Sequence, residues 1–425
     1  MRGCRPTSEH LDPGRCDDSR AHRRRDRSPP MTAAAEPSLI PSAYIEGYHR
    51  AREVDPELAD IYVRHTLITD PLADAAMEAL GNYEPARAEA FIRAGVDGDD
   101  ATLRDAPQEL RTFFDSLDPP DGMLDPARVM PGIRAFHKYS DVYFLGLLID
   151  SIVTGFSTNI SKSFYMRGRL AGNLRRLRQN TRHIVEMTIP GGLDRHGDGW
   201  KLTIRIRLTH ARVRRLLLDS GEWDVEADGL PLHAAHIALA ASGFSANSIE
   251  AVGKLGVRME SSERDDLMHI WRYVIWLMGV PEEIFFNDID EGMHLKKVGF
   301  LCEPRPGVES SAMAHAIIRS VPDLMDISDP KQKQKITSAL FRASRALIGD
   351  ELADALDYPK QSTFGALALV RAQRRWQMLA ARFIPGVTPY SFNNFAGLLQ
   401  RSVYDEHGIS YRLPDAMKDA DSTPW

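Results

Sequence analysis

The sequence predicts an all-α fold, a single large helical domain with extra helices at its two ends. Apolar residues recur at spacings of three and four through segment after segment, which is the period of one helix face. No run alternates apolar and polar residues over the length of a strand. The breaks between periodic segments are glycine- and proline-rich turns, as in GGLDRHGDG over 191–199.

Taken in order, residues 1–40 read as a disordered leader, because the first 30 hold eight Arg and four Pro and almost no large apolar side chain. They lack the apolar stretch of a secretory signal, so a cytoplasmic protein is expected, and Met31 begins a more ordinary N-terminus. Residues 41–130 read as an N-terminal helical arm. In it, Tyr44 to Gly81 is helical with a new start signalled at Asp70-Pro71, Pro85 to Gly95 is a further helix, and Pro107 to Leu117 is a short one among prolines.

Residues 131–410 read as the core. Val129 to Phe156 holds the most apolar run, but Asp150 interrupts it and it falls short of the roughly 20 residues of a membrane span, so it is predicted as a buried helix. Arg167 to Thr188 is the next helix. Its stripe of Leu170, Leu174, Leu177, Thr181, Ile184 and Thr188 turns Thr181 inward, with Arg178 at the edge of that face. Such a pair suits a polar patch in an apolar pocket; it equally suits a threonine bonded to its own helix beside an arginine reaching to water.

Trp200 to Leu216 opens the next helix, where Ile206, His210, Val213 and Leu217 share one stripe and Arg207 and Arg214 flank the histidine. A neutral imidazole in that setting can coordinate a haem iron while arginines meet the propionates. A core histidine bonded to a carbonyl fits the same pattern. Gly229 to Gly256 is predicted as one long helix with Pro231 near its start, and the small residues Ala238 to Gly243 allow a neighbour or a flat ligand to approach closely. Helices are expected at Asp265 to Gly279, Pro281 to Val298, Glu309 to Arg319, Lys331 to Leu347, Asp350 to Leu356 and Thr363 to Phe383. Val403 to Tyr411 is a short helix and residues 411–425 a frayed tail.

Several functions are excluded or left without support. A net charge of −6 argues against a nucleic-acid binder, and Cys4, Cys16 and Cys302 make no disulfide framework. No GxGxxG follows a strand, and GxxxxGK[ST], HExxH and GxSxG are absent. His233 and His236, at i and i+3, could share a metal ion.

An ordered set of blocks gives the chain a resemblance. R-x-R-L-T-H-A-R-V-R at 205–214 follows Gly199-Trp200 and precedes Gly229-Leu-Pro, Lys254-Leu-Gly, His269-Ile-Trp-Arg-Tyr-Val and Leu277-Met-Gly-Val; Asp70-Pro-Leu-Ala-Asp and the Arg-rich helix ending in Thr181 come before it. Over roughly residues 45–395 this resembles the oxygenase family that includes latex clearing protein and the MpaB-type enzymes. The resemblance implies haem b in a globin-like helical core with His210 as the proximal ligand, and Arg207 and Arg214 near the propionates. It further implies an arginine and a threonine facing the dioxygen side, here Arg178 and Thr181, although in latex clearing protein the arginine stands one turn before the threonine, where this chain has Leu177 between Arg176 and Arg178. The acidic residue that latex-cleaving members use upstream has no counterpart. The expected activity is dioxygen-dependent cleavage or oxygenation of an apolar, isoprenoid-like alkene. The alternatives are a haem storage or sensor protein and a helical carrier of apolar ligands.

Overall fold

In the computed structural model, residues 40–166, 173–368, 370–372 and 375–376 are described, with only the backbone of 173–176. The leader, Met31, and the expected helix and tail after 403 lie outside that set. The described residues contain helices and no strand. Those from Ile40 onward belong to one compact unit.

At its centre Pro126–Gly146 lies against Ser261–Leu277. Gly132 permits the contact, since a Cβ there would stand 2.5 Å from the Asp266 carbonyl oxygen. The apolar run continues through a wide π turn, Leu147–Ser151, into Ile152–Phe156. By length and composition Pro126–Phe156 could cross a membrane, longer than the sequence pattern suggested; 78% of its apolar window is buried inside the protein, as in a core helix.

The predicted 229–256 helix begins later than Pro231. Gly229 takes φ +70°, and His233 caps Ala234–Ser242 by accepting the His236 N–H at Nδ1, 3.1 Å. A second π turn, Gly243–Asn247, leads into Ser248–Lys254, and the two π turns pack on each other. Such insertions are common at functional sites. Pro71–Leu80, started by Asp70 as N-cap (Oδ1 to Ala73 N, 3.2 Å), lies across Asp198–Asp219.

Candidate functional site

Two antiparallel helices, Asn173–Met187 and Asp198–Asp219, bring the site together. The glycines between them allow the tight return. A Cβ on Gly192 would fall 1.9 Å from the Glu186 carbonyl oxygen, and one on Gly199 would fall 2.5 Å from Met187 Cα. His183 and His210 consequently face the same cavity.

That cavity, of about 190 Å³, is lined by both helices, both π-turn regions and Ser261–Leu277. Phe156, Phe164, Phe244 and Trp271 supply aromatic walls, and Gly155, Ala240, Ala241 and Gly243 keep other parts of the wall low. Among the described residues no Asp or Glu lines it, and its one Lys or Arg is Lys296. Apolar walls with few polar points are the usual character of a small-molecule site.

His210 stands in the wall between this cavity and a much smaller pocket that also touches Asp70, Arg207 and Arg214. Burial pushes its pKa down to about 3, aided by the nearby Arg214 charge and opposed by Asp70, so at neutral pH the imidazole is uncharged. That is the form able to coordinate a metal. His183 is likewise neutral, with burial taking it down to about 4. Its Nε2 lies 2.8 Å from Thr203 Oγ1, and Thr203 gives its one hydrogen to the Gly199 carbonyl at 2.7 Å. The ring nitrogen must therefore donate, which leaves a lone pair on Nδ1.

The arginines expected near a cofactor are otherwise engaged. Arg207 makes a two-pronged bond to Asp70 (Nε to Oδ2 2.5 Å, Nη2 to Oδ1 3.0 Å), adds the Leu277 carbonyl at 3.1 Å, and stacks 5.1 Å from the Phe113 ring centre. Arg214 pairs with Asp74 and donates to the Pro231 and Leu232 carbonyls at 3.2 and 2.9 Å. The Asp70-Pro-Leu-Ala-Asp block is thus the counter-charge of the His210 helix. Neither guanidinium is in the wall of the large cavity, though both touch the smaller pocket beside His210.

Arg178 and Thr181, expected on the dioxygen side, lie outside the wall of the large cavity. Thr181 is inward, 3% exposed, but its hydroxyl donates to the Leu177 carbonyl at 2.8 Å and it does not line the cavity. Arg178 is 40% exposed along its side chain and reaches toward Asp326 at 3.9 Å. The Leu177, Thr181, Ile184 and Thr188 stripe packs into protein, whereas the cavity takes the adjoining polar face: Gln179, Asn180 and His183. The side chain of Arg176 lies outside the described residues.

His233 and His236 do not form a metal site. Their rings stack at 3.6 Å, and both Nε2 atoms approach Tyr44 Oη, at 3.0 and 3.2 Å. His236 also approaches the buried Glu303, which accepts from Tyr62 Oη at 2.6 Å and Asn159 N at 2.9 Å. Among the described residues no group of three or more His, Cys, Asp or Glu is placed to hold a metal ion. Sequence reasoning missed Gln179, Asn180, His236 and Lys296 as wall residues. The available signal was the helical recurrence of Asn180 and His183, one face over from the apolar stripe.

Comparison with known proteins agrees with this architecture. Residues 145–382, more than half the chain, match the catalytic domain of the ER-bound oxygenase mpaB/B′ and rubber oxygenase family. A rubber oxygenase from Streptomyces sp. (strain K30) is 23% identical over 359 residues, covering 82% of this chain and 81% of that protein. The structure of latex clearing protein in the closed state superposes with a TM-score of 0.61 at 20% identity, covering 83% of this chain and 95% of that one, which is a likeness of fold. The chain belongs to the MpaB and rubber oxygenase catalytic-domain family, and it is an oxygenase.

Proposed function

We propose that this oxygenase uses haem b, held through His210, to oxygenate an apolar, isoprenoid-like alkene, in the simplest case placing the two atoms of dioxygen on the two carbons of a cleaved double bond. The observation that carries the reading is His210: a neutral imidazole in the wall of an apolar cavity with aromatic sides and low glycine and alanine patches. The chemistry of these walls would suit a flat apolar macrocycle held through the His210 nitrogen. Haem, when bound, supplies the activation of dioxygen. The names of the relatives, rubber oxygenase and latex clearing protein, favour a polyisoprene-like substrate class.

The protein's own contribution follows from its side chains. Phe156, Phe164, Phe244 and Trp271 give a hydrocarbon chain a surface to displace water from. Asn180 places an amide group on the wall, and His183, with its Nε2–H spent on Thr203, offers an acceptor at Nδ1. The pair Asp70–Arg207 fixes the turn of helix that carries His210. The test is the optical spectrum of the purified protein, oxidised and reduced, followed by oxygen uptake with an isoprenoid alkene. A Soret band and alkene-dependent uptake are expected. Protein that neither carries haem nor takes it up on reconstitution overturns the reading.

A further inference from the structure

The two π turns assemble a polar cluster at the cavity wall that the proposed chemistry does not use. Asp150 lies within Leu147–Ser151 and is 1% exposed. Lys254 approaches it from the outer side, Nζ to Oδ2 at 3.4 Å, and Lys296 from the cavity side, Nζ to Oδ1 at 3.9 Å. Asn247, in the second π turn, donates through Nδ2 to Ser151 Oγ at 2.7 Å, and its Oδ1 accepts from Lys296 Nζ at 2.7 Å. The Phe300 ring, also in the wall, lies 5.7 Å from the ammonium.

Counting charges makes the cluster incomplete. Two ammonium groups share one carboxylate, which leaves one positive charge over, and it falls to Lys296 because Lys254 is the half-exposed and closer partner of Asp150. At 3.9 Å the Lys296–Asp150 contact is an ion pair too long for a hydrogen bond, so of three ammonium hydrogens Asn247 takes one. Burial accordingly pulls the Lys296 pKa down to about 8, with Asp150 opposing and Lys254 assisting the shift. An anion within the cavity would restore the balance. No acidic residue among the described residues of the wall does so.

We propose that Lys296 is a carboxylate-binding point inside the cavity, so that the ligand class is an amphipathic acid with an apolar chain along the aromatic walls and its carboxylate on Lys296 Nζ. That the chain is then oxygenated rests on the function proposed above; the binding does not. The carboxylate has two possible sources, a free unsaturated acid or a propionate edge of the haem, the second following from the commitment of Arg207 and Arg214 to Asp70 and Asp74.

Calorimetric titration with oleate and with oleyl alcohol tests the site in wild type and in Lys296→Met. For a free acid, oleate binds wild type about tenfold tighter than the alcohol, as one charge-assisted bond implies. Lys296→Met removes that preference and leaves alcohol affinity unchanged, while Lys296→Arg keeps it. For a propionate, oleate and alcohol bind alike, but Lys296→Met retains less haem than wild type, and the two proteins retain haem dimethyl ester equally. Equal binding of acid and alcohol together with unchanged haem retention overturns the proposal, and wild type alone exposes the missing acid preference should Lys296→Met not fold. An oleate preference without oleate-dependent oxygen uptake counts against the oxygenase reading and leaves Lys296 in place. Uptake with an isoprenoid alkene, without any carboxylate effect on oleate or haem, has the opposite meaning.

Discussion

Thr203 accepts the Nε2–H of His183 at 2.8 Å, and it does so because its own hydroxyl hydrogen is given to the Gly199 carbonyl. Burial favours the neutral ring in the folded protein, where the pKa falls to about 4. An unfolded histidine titrates near pH 6.5, so below that the unfolded chain binds a proton that the native one does not. Stability is therefore full above about pH 6.5 and declines as the pH falls toward 4, by about 1.4 kcal/mol per pH unit from this group alone. Urea unfolding of wild type and His183→Asn at pH 7 and pH 5 checks it. The variant should lose less stability on acidification; an identical loss in both proteins would show that His183 is not the titrating group.

His210→Ala should yield folded, helical protein that purifies without haem. Alanine is a good helix former, and removing the one imidazole offered as axial ligand deletes the main anchor of the cofactor. Circular dichroism and the Soret absorbance give the two readouts. Full haem occupancy with an unchanged band would move the axial ligand elsewhere, and His183 would be examined next because it faces the same cavity.

The pair Asp70–Arg207 is assigned here to holding the fold. Asp70 is at once the N-cap of Pro71–Leu80 and the two-pronged partner of a guanidinium only 8% exposed. Asp70→Asn leaves that buried charge unbalanced, and breaking such a pair costs about 3–5 kcal/mol. Replacing both residues by leucine should recover part of the loss. Chemical denaturation measures each variant. Native stability in Arg207→Gln combined with loss of haem would return the arginine to a propionate.

The helices and the inward turn of His210 were legible in the sequence because both depend on local spacing. Ile206, His210, Val213 and Leu217 fall on one stripe whatever packs against them. The partners of Arg207 and Arg214 were not legible, since Asp70 and Asp74 meet them only after the chain has folded back. The π turns escaped for a different reason. Each inserts one residue into a run whose composition stays helical, so Asp150 looked like an interruption of an apolar helix when it is the centre of a buried charge cluster. On the 173–187 helix the sequence leaves open whether the apolar stripe meets a pocket or other helices. The cavity takes the neighbouring polar face, and no one-dimensional pattern distinguishes a stripe that meets other helices from one that meets a void.

That distinction sets the last prediction. If Thr181 is a core residue, Thr181→Val removes only a hydroxyl already bonded within its own helix to the Leu177 carbonyl, at a cost of about 0.5–1.5 kcal/mol in stability and none in oxygen uptake. Arg178→Leu should also leave uptake alone, because that side chain is 40% exposed and directed toward Asp326. Asn180→Leu should behave differently. It keeps the branched heavy-atom outline of the position and raises its helix propensity but removes an amide from the cavity wall, and one hydrogen bond withdrawn from the reacting region lowers a rate by about threefold to tenfold. The three variants, brought to equal Soret absorbance, are compared by substrate-dependent oxygen uptake and by thermal unfolding. Slow uptake in Thr181→Val with normal uptake in Asn180→Leu would place the reacting face on the 177–181 stripe after all, and would require that helix to turn from its present orientation when the cofactor binds.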